Sequence, residues 1–224
     1  KVIRDVLEVD EGDPFNKLLH AKSINNLKAK NIFQEVKSEI KDTPDENLKN
    51  IDITVEEKAT GEILVGAGIG SEGGTAQFSI AENNFLGKGV KLSTGLRVSE
   101  QRIRGNFTVT NPNFNYSDKS LTTDIFVTDT DRMSDSGYKS TNTGFSFGTS
   151  FEQYDDFFFS PTFRTTYENL TTSSSASANL KKQEGTYFTT EIGYSINLDK
   201  RNQKFQTSDG FQSKFTQIIP LISD

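Results

Sequence analysis

The chain has 224 residues, 33% of them hydrophobic and 25% charged, with a formal net charge of −6. That acidity leaves no basic footprint for nucleic acid. The absence of cysteine excludes disulfides, thiolate chemistry and zinc–thiolate sites, and no run approaches the ~18 consecutive apolar residues of a membrane helix. A membrane β-barrel survives these exclusions, because each of its strands carries only a weak alternating signal.

Lys1 to about Val9 reads as a short helix, with Val2, Ile3, Val6 and Leu7 at spacings of three and four. Glu11-Gly12-Asp13-Pro14 breaks it, and Asp13 as N-cap with Pro14 at the first helical position opens a second. That helix carries Phe15, Leu18, Leu19, Ile24 and Leu27 and stops near Lys30-Asn31. Two strands follow, Ile32 to Ile40 and Leu48 to Glu56, joined by a turn cluster around Asp42-Thr43-Pro44-Asp45. Helix, helix, strand, strand predicts a small α+β module with Leu27, Phe33 and Val36 in its core.

From Gly61 onward the pattern changes to a period of two, which places successive side chains on opposite faces of a strand. Ile63, Val65, Ala67 and Ile69 form the first apolar row, against Glu62, Leu64, Gly66, Gly68 and Gly70. Ala76, Phe78 and Ile80 form the second, and Val90, Leu92, Thr94, Leu96 and Val98 the third. Later rows are Phe107 and Val109; Leu121, Thr123, Ile125 and Val127; and Phe145, Phe147 and Phe151. Phe157, Phe159, Pro161 and Phe163 come next, then Ile192, Tyr194, Ile196 and Leu198, and finally Phe211, Phe215 and Ile219. Lys91, Arg97, Asp124, Arg164 and Glu191 all fall on the opposite parity. A watery lumen permits charge there, whereas a hydrocarbon face penalises Arg or Lys at midplane by about 2–4 kcal/mol. A soluble sandwich would also segregate them, with its apolar rows hidden inside. Ser71 to Gly74 and Ser99 to Arg102 read as tight turns. Asp129 to Asn142 and Leu170 to Gly185 read as long polar loops on one side, the latter mobile through its Thr171–Ser177 run.

Several fragments resemble a known family. Val2-Ile3-Arg4, Glu11-Gly12-Asp13-Pro14-Phe15-Asn16 and Asn31-Ile32-Phe33-Gln34-Glu35-Val36 look like a POTRA domain without its first strand. Thr60-Gly61, then Gly66 to Gly73, resembles the passage from the last POTRA strand into a first barrel strand. Three turn motifs follow in family order: Asn83 with Gly87 and Gly89; Asn111-Pro112; and Asp199…Arg201…Gly210, which includes Phe205-Gln206. Together they resemble the outer-membrane assembly factors of the BamA (bacterial surface antigen) family over almost the whole chain. The resemblance implies an α+β POTRA module, incomplete, at 1–58. An antiparallel β-meander at 61–224 forms the first part of a transmembrane β-barrel, about nine strands. The start at Lys1 and the stop mid-pattern at Asp224 read as a piece of something longer, unable to close a barrel or act alone.

The same resemblance implies a bacterial outer-membrane location with the POTRA in the periplasm. It implies insertion of β-barrel proteins, with Glu62–Gly70 as a seam strand that pairs with clients. Partners would be unfolded outer-membrane proteins, periplasmic lipoprotein subunits and outer-membrane lipid, with no nucleic acid. A secretion or translocation pore of the same superfamily stays open, as does a soluble periplasmic β-rich module. No catalytic, cofactor or metal site is expected. His20 is the only histidine and packs on its helix, while Asp129-Thr130-Asp131 and Asp155-Asp156 are solvated carboxylates. The Gly66-x-Gly68-x-Gly70 run precedes a hairpin, so it has no helix N-terminus to hold a phosphate.

Overall fold

The computed structural model describes residues 2–45, 48–71, 73–202 and 207–223, so Glu46, Asn47, Glu72 and Phe205-Gln206 lie outside the described residues. The chain divides into two compact units, Lys1–Gly61 with Glu82–Val90, and Glu62–Ala81 with Lys91–Asp224.

In the first unit, the expected opening helix shrinks to a single 3-10 turn, Arg4–Val6. β-Branched Val2, Ile3, Val6 and Val9 disfavour a helix, and the Glu8 amide donates instead to Ser23 Oγ at 2.8 Å. The next helix, α1 (Lys17–Ala29), is capped by Asn16 rather than Asp13: its side chain accepts from the amides of Leu18 and Leu19. Asp13 closes the preceding turn by accepting the Asp10 amide at 3.0 Å, so Pro14 stands before the helix. Asn31, with φ of 56°, ends the helix in the left-handed region. Strands β1 (Phe33–Asp42) and β2 (Lys49–Glu57) pair antiparallel, and Val36, Ser38 and Ile40 lie opposite Val55, Ile53 and Ile51. The buried centre is Leu27, at 0% exposure, with Ile32 and Ser23. Phe33, expected in that core, is only half-buried. A bulge between Phe33 and Glu35 interrupts the pairing beside it.

Nine further strands form one sheet: β3 (Gly61–Gly70), β4 (Gly73–Phe85), β5 (Val90–Ser99), β6 (Arg102–Asn111), β7 (Ser120–Arg132), β8 (Tyr138–Tyr154), β9 (Phe157–Thr172), β10 (Gly185–Asp199) and β11 (Gln212–Ser223). Spatial order is sequence order, a meander from β3 to β11 that does not close. The tight turn expected at Ser99–Arg102 is present, with 100–101 joining β5 to β6, whereas the one expected at Ser71–Gly74 includes Glu72, outside the described residues.

The two long loops differ from expectation. Asp129–Arg132 continues β7 and pairs with Tyr138–Thr141 of β8, leaving only 133–137 as turn. The second contains a short helix, α2 (Ala178–Lys182), capped by Ser177. Its Thr171–Ser177 run is tied down: the Ser173 amide donates to the Gly137 carbonyl at 2.8 Å, and Ala176 is buried. Composition hid this because the bonds are made by backbone groups that every residue carries.

Candidate functional site: the two faces and the edge of the sheet

The register sorts the side chains of the nine-stranded sheet. Directly opposite partners share a face, and one ladder row runs Leu92, Val109, Thr123, Phe147, Phe163, Ile192, Ile219 across seven strands. The next rows add Phe107, Ile125 and Phe145, then Phe151, Phe159, Ile196 and Phe215. Ring centroids of Phe147 and Phe163 lie 5.2 Å apart, and those of Tyr194 and Phe215 6.1 Å.

This apolar face is uncovered: Phe107, Ile125, Phe147 and Phe215 are 45–56% exposed. In a soluble sandwich a second sheet would bury those rows. Nothing among the described residues covers them. On β9 the band runs from Phe157 to Tyr167, roughly 33 Å at the ~3.3 Å rise of a strand. At a ~40° tilt that spans about 25 Å, the height of an outer-membrane hydrophobic belt. The band also crosses the ladder obliquely. The row holding Val98 and Ile103 on β5 and β6 reaches Asp129, Thr141 and Asn169 on β7 to β9, whereas Phe157 and Leu198 extend the band at the other end. Strands tilted to a membrane plane require such a slant.

The opposite face is polar, and the register puts all five charged residues singled out in the sequence on it. Arg97 faces Arg104, Lys91 faces Thr110, and one row runs Ser93, Thr108, Asp124, Ser146, Arg164, Glu191. Thr108 donates to Asp124 at 2.5 Å, and Arg164 reaches Glu191 at 3.9 Å. Phe126 breaks the pattern. It belongs to this polar face, is buried, and carries the Arg164 guanidinium over its ring. Reading by parity missed it, because an isolated aromatic among polar neighbours carries no periodic signal.

β3 forms one edge of the sheet and β4 is its sole sheet neighbour among the described residues. Ile63, Val65 and Ile69 are 72%, 76% and 93% exposed, and Leu64 is 49%. Glu62, Ala67, Gly68 and Gly70 are exposed as well, while Gly66 is half-buried against Gln77. In the first unit the strand's start is fastened: Glu82 accepts from the Thr60 hydroxyl and from the Asn84 amide, and Asn83 donates to the Thr60 carbonyl.

The turn motifs each close a hairpin. Asn84 accepts the Gly89 amide at 2.8 Å in a turn where Leu86, Gly87 and Gly89 have positive φ. After Pro112, the Asn113 amide donates to the Asn111 side chain. Arg201 grips Asp199 with two bonds of 2.7 Å, and Lys200 pairs with Asp156 at 2.9 Å, which holds the ammonium above its ordinary range. Gly210, at φ of +91°, lies so close that a β-carbon there would sit 2.1 Å from the Lys200 carbonyl oxygen.

His20 Nε2 lies 3.0 Å from Ser38 Oγ, its ring 6.1 Å from that of Phe15. Asp129 pairs with Lys139 at 3.2 Å. Among the described residues no three metal-ligating side chains converge, and no helix is long and apolar enough to cross a membrane.

A profile of the Omp85 superfamily domain matches residues 84–220. The chain belongs to the Omp85 superfamily. This Omp85 chain is therefore grouped with outer-membrane β-barrel proteins, in keeping with its uncovered apolar belt. Its fold is similar to that of BamA from Haemophilus ducreyi lacking POTRA domains 1–3. The TM-score is 0.78 at 19% identity over 98% of this chain, which spans 45% of that one. No curated protein matches the Omp85 chain by sequence.

Proposed function

We propose that this Omp85 chain takes part in inserting β-barrel proteins into the outer membrane by offering β3 as a template strand at a lateral seam. The carrying observation is the state of β3: an edge strand, apolar on its exposed side, with Gly66, Gly68 and Gly70 lowering its own order. An unpaired edge is a template for another chain's backbone groups, and in hydrocarbon no water competes for them. The polar face, with Lys91, Arg97, Asp124, Arg164 and Glu191, lines the barrel interior in this reading. The helix–hairpin module of 1–58 is a periplasmic POTRA domain that meets lipoprotein subunits and incoming clients. The element order of this module, α1 followed by the β1–β2 hairpin, is what supports that assignment. No step requires a catalytic group or cofactor, so the protein acts as a non-enzyme.

The test uses the full-length protein. Cysteines placed singly along Glu62–Gly70 should crosslink to the terminal strand of an assembling client, while cysteines along Phe145–Phe151 of interior β8 should not. Equal crosslinking of both strands would end the templating mechanism. The matched domain belongs to the superfamily at large, which also supports a secretion or translocation pore. In that case, a translocating substrate would crosslink to polar-face cysteines such as Ser146→Cys instead.

A further inference from the structure

We propose that Arg97 and Arg104 form a docking site for an acidic polypeptide segment on the polar face of the sheet. The two are direct partners across the β5–β6 ladder, both are exposed, and neither side chain has a hydrogen bond or ion pair with any described residue. Like charges placed directly opposite destabilise a sheet. Two other charges on this face are answered in place, Asp124 by Thr108 and Arg164 by Glu191, whereas Lys91 faces only Thr110.

Among the described residues no anion of the neighbouring strands stands beside the pair. The row continues from Arg104 to Thr128, Asn142 and Glu168, and Glu168 lies three strands away, roughly 14 Å, and accepts from the Ser140 hydroxyl. The next row holds Gly95 and Asn106, with Ser79 of β4 against Gly95. The nearest acidic residue of this face on neighbouring β7 is Asp124, two ladder rows from Thr128, or about 13 Å along the strand. Two guanidinium forks rising from β-carbons ~5 Å apart can each hold a carboxylate by two bonds, a geometry that lysine would not offer. Thr128 and Asn106 add uncharged donors and acceptors suited to a peptide backbone.

The occupant follows from the face. The apolar belt lies on the other side of the sheet, so lipid headgroups bordering that belt do not meet these arginines. A chain segment bearing successive carboxylates matches both the charge and the hydrogen-bonding row beside it. This rests on reading the polar face as the barrel interior.

The experiment takes the full-length protein folded in nanodiscs of zwitterionic lipid and measures binding of fluorescein-labelled hexaglutamate and hexaglutamine. Hexaglutamate should bind and weaken as salt rises, while hexaglutamine should not bind. The Arg97→Gln/Arg104→Gln variant should lose roughly tenfold in affinity, with melting temperature unchanged or raised, because an opposed charge pair is gone. Arg97→Lys/Arg104→Lys keeps the charge without the forks and should fall between, which decides the matter if the glutamine variant fails to fold. Equal affinity in the variants, or displacement by millimolar inorganic phosphate, would overturn the proposal. Because binding is read on protein already folded in a bilayer, its failure leaves the barrel reading standing; that reading has its own test in the charge-placement comparison below.

Discussion

The guanidinium carbon of Arg164 sits 4.5 Å from the centre of the Phe126 ring, and that ring covers the bare backbone of Gly144 on the strand between them. A β-carbon on Gly144 would lie 2.7 Å from Phe126 Cζ and 2.5 Å from the Thr165 carbonyl oxygen. Gly144→Ala should therefore force the ring and the ladder apart, costing about 1–3 kcal/mol. The measurement is the temperature at which the folded full-length protein loses its compact gel mobility; an unchanged temperature would refute the stack.

Phe147→Arg should impair membrane assembly of the full-length protein far more than Ser146→Arg. Phe147 belongs to the exposed apolar row, whereas Ser146 lies between Asp124 and Arg164 on the polar face. The penalty at the membrane midplane is about 2–4 kcal/mol for arginine. Similar assembly yields for the two variants would sink the assignment of the faces.

Leu27→Ala should destabilise the first module by about 2–5 kcal/mol, because Leu27 is fully enclosed. Phe33→Ala should cost less, since Phe33 is half-buried at a bulge. Proteolysis of the module in the two variants orders them, and the reverse order would misplace the core.

The Lys49 ammonium beside Asp42 holds its carboxyl below the usual carboxylate range. A lowered folded-state pKa contributes stability that is present above the ordinary carboxylate value and disappears as pH falls through the lowered one. Carboxyl-carbon NMR of Asp42 should show that low titration move up towards the ordinary range in Lys49→Met. No movement would mean that the pair does not set it.

Gly210→Ala should disturb the hairpin between β10 and β11, since it adds both a strained φ and a clash with the Lys200 carbonyl. Loss of the Lys200–Asp156 pair should accompany it, seen as faster hydrogen exchange at the Asp199 amide, which donates to the Asp156 carbonyl at 2.9 Å. Wild-type exchange there would argue against a rigid turn.

Much of the sheet was legible because period-two alternation reports a face directly. Phe145 and Phe147, or Asp124 and Arg164, reveal their sides without any knowledge of neighbours. Pairing of Arg97 with Arg104 was within reach too, since they stand at equal distances from the tight turn at 100–101. Less visible were features decided by single competing contacts. Ser23 takes the Glu8 amide and ends the first helix early; Asn16 outcompetes Asp13 for the cap. The polar extensions of β7 and β8 read as loops because Asp129, Thr130, Asp131 and Ser140 lack apolar alternation, yet their backbones still complete the ladder.

Because every strand of the nine-stranded sheet has its sequence neighbours as its spatial neighbours, no strand waits for a distant part of the chain before it can pair. Low contact order of this kind shortens the loops that must close and speeds folding. The sheet can grow hairpin by hairpin in the order in which the chain arrives, each new strand pairing with the edge left by the last. Growth itself would then carry one open edge outward from β3 to β11, while the other edge stays on β3 throughout.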